Sequence, residues 1–298
     1  MKLLSYTKKN YLYGYLFVLL PLIGTAVLYV YPLLMSLFNS FFQWNAINPR
    51  YFIGLENYEW MFTKDRQVLI SFKATLTYLV FHVPLVIGFG LFFALILNNR
   101  RLQGLWIART AIITPLVTAP VAVAAIWLYV FNPNVGLLNT VILEWFGGEK
   151  INWFSKPAYA MFVLQVVSIW RGMGYSFIFL FAGLQSIPTE FYEAAALDGA
   201  SGAQRLRRIT LPLLTPTIFL VLVLVFIGAA QEFELPLLLT GGGPRFATSL
   251  VNLTIYRIAF QYGEMGYASS VATITFFFLL GVTAFQFALQ KKWVNYME

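Results

Sequence analysis

Long apolar runs alternate with short polar breaks along this chain. A helix that spans a bilayer takes about 20 apolar residues. Six stretches are long enough, at roughly 12–38, 71–97, 110–131, 159–184, 213–238 and 268–289. The gaps between them reach about 30 residues at most, too short to hide a soluble domain with its own core. The pattern predicts one all-α integral membrane domain, 1–298, with six transmembrane helices and no internal repeat. The first run starts after basic residues, as a signal peptide does. It continues through Tyr29 and Leu37, too far for a signal core, and reads as an uncleaved anchor.

One break differs from the others. Residues 187–212 form a polar island rich in small side chains. Ile187-Pro188-Thr189-Glu190 is a helix start, because proline suits the first turn and Glu190 and Glu193 favour the positive end of the helix dipole. Phe191 to Leu197 has high helix propensity. Asp198-Gly199 stops it, since glycine readily takes the left-handed conformation past a helix end. A second short amphipathic segment, Gln204 to Thr210, is expected to end before Pro212. Ala194, Ala195 and Ala196 let another backbone approach closely, and Glu193 and Asp198 offer charge for register. From these residues alone the island is either a docking element or an ordinary solvated loop.

Composition supports the membrane reading. The chain is 59% hydrophobic and 11% charged, against about 25% charged in soluble domains. Its net charge of +8 then belongs with loops facing anionic headgroups, not with nucleic acid. Lys2, Lys8 and Lys9 precede the first run, and Lys291 and Lys292 follow the last. Arg100, Arg101 and Arg109 follow the second run, and Arg205, Arg207 and Arg208 follow the fourth. The opposite breaks mix Arg50, Lys64, Arg66, Lys150 and Lys156 with Glu56, Glu59, Asp65, Glu144 and Glu149. The positive-inside rule therefore places both termini and the 187–212 loop in the cytoplasm. There are no cysteines and one histidine, His82. That removes thiol chemistry, ordinary zinc sites and a Ser-His-Asp triad, and no metal or catalytic residue is expected.

Polar residues inside spans are costly and tend to face the bundle interior. Ser168, Arg171, Gly172 and Tyr175 recur at helical spacing in the fourth run, and Val225, Gly228, Ala229 and Glu232 in the fifth. Trp170, Gln231 and Glu234 lie beside these stripes. Glycines leave room for a ligand, Tyr175 can stack on a sugar ring, and Arg171 and Glu232 can bind hydroxyls. Alternatively, Arg171 and Glu232 form an ion pair between two helices. His82 is expected to be a hydrogen-bonded helix residue. Gly172 and Gly174 are candidate breakpoints in the fourth run.

The island carries a family resemblance. Glu193-Ala194-Ala195-x-x-Asp198-Gly199-Ala200, then Ile209-x-Leu211-Pro212 and Pro216, resembles the EAA loop of bacterial ABC importer membrane subunits. Leu206 stands where that family often has phenylalanine, and keeps an apolar contact. Leu239-Thr240-Gly241-Gly242-Gly243-Pro244, with Thr248, Tyr256, Ala259-Phe260 and Gly266-Tyr267-Ala268-Ser269, is similar to the next part of the same family. Ile53-Gly54-Leu55-x-Asn57-Tyr58 matches it too. This form resembles the first membrane subunit of maltose- and glycerol-phosphate-type systems. The resemblance implies a type I ABC importer permease in the bacterial inner membrane. It implies sugar contacts at Ser168, Arg171, Gly172, Tyr175, Val225, Gly228 and Glu232. It also implies a second homologous membrane subunit, two cytoplasmic ATPase copies and an extracellular or periplasmic sugar-binding protein. ATP and Mg would sit on the ATPases, with no cofactor on this chain, which has no Gly-x-x-x-x-Gly-Lys motif. Arg171 and Glu232 depart from the amide-rich maltose site and imply a different substrate. Two other readings stand beside this one: an ion-coupled secondary transporter and an integral-membrane enzyme.

Overall fold

The computed structural model describes residues 2–98 and 104–295. Arg100 and Arg101 lie outside them, and so do the side chains of Lys2, Lys8 and Lys9. In chain order come α1 (Lys2–Thr25), α2 (Tyr31–Asn39), β1 (Phe42–Gln43), β2 (Tyr51–Phe52), α3 (Glu56–Thr63), α4 (Arg66–Leu97) and α5 (Leu105–Val117). Then follow α6 (Pro120–Val130), α7 (Leu137–Phe146), α8 (Pro157–Gln185), α9 (Thr189–Leu197) and α10 (Gly202–Arg205). The last are α11 (Leu211–Ala230), α12 (Glu234–Thr240), α13 (Val251–Tyr256) and α14 (Met265–Gln290). Two compact units result: Met1–Asp65 with Ile255–Phe276, and Arg66–Thr254 with Phe277–Glu298.

Among the described residues, five helical stretches are long and apolar enough to cross a membrane: Tyr13–Asn39, Arg66–Leu97, Pro157–Gln185, Gly202–Ala230 and Met265–Gln290. A sixth candidate is the pair α5 and α6, bent by 104°. The run expected as one element over 110–131 is therefore two helices. Thr118 and Ala119 are extended, with ψ of 136° and 134°, ahead of Pro120. A residue before proline is pushed out of the helical region. α8, by contrast, runs unbroken through Gly172 and Gly174.

Two prolines widen the helix ahead of them instead of breaking it. π turns occupy Ala26–Val30 before Pro32 and Leu206–Thr210 before Pro212. The Tyr31 N–H reaches Ala26 O, and the Leu211 N–H reaches Leu206 O, five residues back. Proline has no N–H and its ring clashes with the carbonyl four residues back. A turn widened by one residue moves that carbonyl aside.

In the first unit the family-like segments clasp one another. Asn57 Nδ2 donates to Ser40 O and Phe42 O at 2.8 and 3.2 Å, and the Tyr58 hydroxyl donates to Ser40 Oγ at 2.6 Å. The Gly266 N–H donates to Trp44 O at 2.9 Å, and a side chain at Gly266 would collide with Phe42 O. The Tyr267 hydroxyl donates to Asp65 at 2.8 Å.

The second unit is built around α8. A Cβ added at Gly90 of α4 would stand 2.5 Å from Ser176, and one at Gly174 would stand 2.6 Å from Ile112 O of α5. Lipid tails are as apolar as leucine, so membrane helices associate by such close backbone approach. Tyr78, Phe131, Leu164, Phe177, Leu180 and Leu214 are buried between these helices.

Candidate functional site

The 187–212 island is ordered by its own backbone chemistry. At the end of α9 the Gly199 N–H donates to Ala196 O at 3.1 Å, and the Ala200 N–H donates to Ala195 O at 2.9 Å. These two bonds reach back over carbonyls that the helix leaves unpaired, and they need a left-handed residue between them. Gly199 supplies it, with φ +74°. After the elbow the Gln204 N–H donates to Ser201 Oγ at 3.3 Å, and the Ser201 N–H donates to Gln204 Oε1 at 2.7 Å. This reciprocal pair starts the next helix.

That helix does not stop before Pro212. It runs through α10, the π turn and α11 as one rod, Gly202–Ala230. The expected separate second segment is therefore the base of α11. Tyr192 Oη lies 3.1 Å from Thr210 Oγ1 and ties α9 to that base. Nearby, a Cβ at Gly183 of α8 would meet Thr217 Oγ1 at 2.6 Å and Leu214 Cδ1 at 2.9 Å of α11. Glu193, Ala194, Asp198 and Gly199 are exposed, while Ala195, Ala200, Leu206, Ile209 and Pro212 are half-buried. Leu197 is 90% exposed and Phe191 46%.

Of the seven residues read as sugar contacts, one lies beside the Tyr78 hydroxyl and two act on it electrostatically. Tyr78 of α4 is 0% exposed. Its Oη lies next to Ser168 without closing a hydrogen bond, and within the electrostatic reach of Glu232 and Arg171. The other four are placed differently. Val225 is buried. A Cβ at Gly172 would lie 3.3 Å from Val86 and 3.7 Å from His82, so this glycine seats α4 instead of leaving room for a ligand. Tyr175 packs on Phe179 with ring centres 4.9 Å apart. Gly228 faces open space.

The ion pair at this site joins Arg171 to Glu234, at 3.8 Å, not to Glu232. α11 ends at Ala230, short of the expected 238. Glu232 is thereby free to turn back onto the start of α12. Its Oε1 accepts from the Phe233 and Leu235 N–H groups, both at 3.2 Å. Glu234 stays 54% exposed, and Arg171 is 24% exposed. A pair so open to solvent contributes about 0–1 kcal/mol.

Sequence reasoning missed the α4 wall. Tyr78 and His82 stack with ring centres 4.7 Å apart. Gln165 Nε2 donates to Tyr78 O at 3.0 Å. Tyr78 Oη, His82 Nδ1, Gln165 Oε1, Ser168 Oγ and Arg171 Nε are buried with no hydrogen-bond partner among the described residues. His82 thus departs from its expected role as a satisfied helix residue. Each such atom left unpaired costs about 1–3 kcal/mol. The available signal was a polar stripe at Ser71, Thr75, Tyr78 and His82, at helical spacing within an apolar run.

Residues 86–294 match the family described as the binding-protein-dependent transport system inner membrane component. The chain belongs to this family. The permease is 38% identical over 292 residues to the probable ABC transporter permease protein YesP of Bacillus subtilis (strain 168), covering 97% of its own length and 94% of the relative's. It is 34% identical over 274 residues to the trehalose/maltose transport system permease protein MalF of Thermococcus litoralis, covering 91% and 90% of the two chains. Its fold is that of a chain in the bacterial alginate ABC transporter, solved in complex with alginate pentasaccharide-bound periplasmic protein. The TM-score is 0.84, at 22% identity and with full coverage of both chains. Membership makes the permease a transport subunit and sets aside the ion-coupled carrier and the membrane enzyme. The family match begins past Tyr78 and His82 on α4.

Proposed function

We propose that this chain is one membrane subunit of an ATP-driven importer of a sugar or oligosaccharide. It has a type I ABC importer fold of six spans, with α5 and α6 counted as one. It works with a second homologous membrane subunit, two cytoplasmic ATPase copies and an external sugar-binding protein. ATP and Mg bind the ATPases, and this chain hydrolyses nothing. Both termini and the Glu193–Pro212 segment face the cytoplasm. The sugar passes Ser168, Arg171, Tyr175, Val225, Gly228 and Glu232, with Gly172 seating α8 on α4 beside them.

One observation carries the coupling role: α9 is clamped to the foot of an unbroken rod, Gly202–Ala230. An ATPase gripping the exposed Glu193, Ala194, Phe191 and Leu197 would move α9 and that rod together. Near Gly183, α8 lies directly against the same rod. ATP binding can then shift inward to outward access, provided that the ATPase binds the two states with different affinity.

The test is reconstitution of the purified complex in proteoliposomes. Saccharide uptake should require ATP on one side and the binding protein on the other, and should survive a protonophore. Uptake that follows an ion gradient without ATP would overturn the reading.

A further inference from the structure

Beside the charged Arg171, Glu232 and Glu234, the second unit holds an uncharged polar seam between α4 and α8. Tyr78 and His82 lie one turn apart on α4. Gln165 and Ser168 lie one turn apart on the facing side of α8. Each of the four is buried and holds a polar atom with no hydrogen-bond partner among the described residues. Buried polar side chains in folded proteins are normally paired, so four unpaired ones across one helix contact need an explanation. The seam is not merely loose. Gln165 Nε2 holds the Tyr78 carbonyl, the Tyr78 and His82 rings are stacked, and Gly172 seats α8 against His82 and Val86.

The groups involved are a phenol and a serine hydroxyl that lie beside each other, an imidazole nitrogen and an amide oxygen. None carries a fixed charge, and together they donate and accept. Carboxylate or phosphate recognition would instead call for arginine or lysine forks. Arg171, at the edge of the seam, already has two carboxylates near it, Glu234 in an ion pair and Glu232 within electrostatic reach.

We infer that Tyr78 and His82 of α4, with Gln165 and Ser168 of α8, form a further subsite of the transport path that takes neutral hydroxyl groups of the passing saccharide. The subsite is closed in this structure and opens when α4 and α8 part. The inference rests on the proposed transport role and adds α4 to the walls of its path.

The chain has no cysteine, so a single introduced thiol reports its own site in a complex whose partner chains are also cysteine-free. The probe is a membrane-impermeant sulfonatoethyl methanethiosulfonate. Tyr78→Cys and His82→Cys should be unreactive at rest. Both should be labelled when the assembled transporter is trapped with ATP and vanadate. Val80→Cys, on the 64% exposed outer side of α4, should stay unlabelled in lipid in either state. Gly228→Cys reports the path already proposed. If Gly228→Cys is labelled while positions 78 and 82 stay silent in both states, the seam is packing and the inference fails alone. If Gly228→Cys is silent too, the proposed path fails with it. Tyr78→Phe keeps the ring and removes only the hydroxyl. It should slow uptake about tenfold, the scale of one buried hydrogen bond, with melting no lower than wild type and unchanged co-purification. Uptake equal to wild type in Tyr78→Phe would also overturn the inference.

Discussion

At the residue scale, Gly199 and Arg171 show two kinds of legibility. Gly199 was readable because its role is local: the last carbonyls of α9 and the two following N–H groups lie within a few residues. A left-handed conformation costs a residue with a Cβ about 1–2 kcal/mol, and asparagine bears it best. Nothing crowds Gly199, so the strain is in the backbone alone. Gly199→Val should keep the membrane subunits assembled but abolish most of the saccharide-stimulated ATPase activity. Gly199→Asn should retain most of it. Normal stimulation in the valine variant would sink the coupling role of the elbow. The partner of Arg171 was not readable. Glu232 and Glu234 are two residues apart, and hydropathy does not distinguish them. The choice follows from where α11 stops: Glu232 caps the next helix, and Glu234 is left for the guanidinium.

At the element scale, the apolar runs marked where helices lie but not how each one ends. Pro120 marked a candidate bend between α5 and α6, because proline disfavours the helical conformation just before it, but Pro115 in the same run lies inside α5, so proline alone did not fix the place. The stop at Ala230 had no such mark, since the apolar run resumes through Leu235 to Leu239. The crossing of α8 and α11 at Gly183 depends on two segments brought together from about 30 residues apart. It sits beside the joint between α9 and Thr210. Gly183→Ile would drive atoms into Thr217 and Leu214, and overpacking of this kind costs about 1–3 kcal/mol. The purified complex should melt several degrees lower, and adding Thr217→Ala should recover part of the loss. A Gly183→Ile complex that melts like wild type would mean that the two helices separate there at no cost.

At the scale of the whole molecule, orientation rests on charge. Basic residues crowd the breaks that hold the termini and the 187–212 segment, and the opposite breaks are mixed in sign. Alkaline phosphatase fused after residue 150 should be active, and the same enzyme fused after residue 298 should be inactive. An active fusion at the C-terminus would reverse the orientation and put α9 on the wrong side for an ATPase. The sequence by itself determined the membrane class, the apolar runs, the glycine elbow and the family. Each depends on composition or on residues close in the chain. Tertiary structure alone decided which polar groups meet. Tyr78 and Ser168 are 90 residues apart in sequence, and their meeting is set by the rotation and close approach of α4 and α8. The polar stripe on α4 marked a face of that helix, but no local pattern says which helix packs on it, so its meeting with Gln165 and Ser168 stayed hidden until the helices were packed.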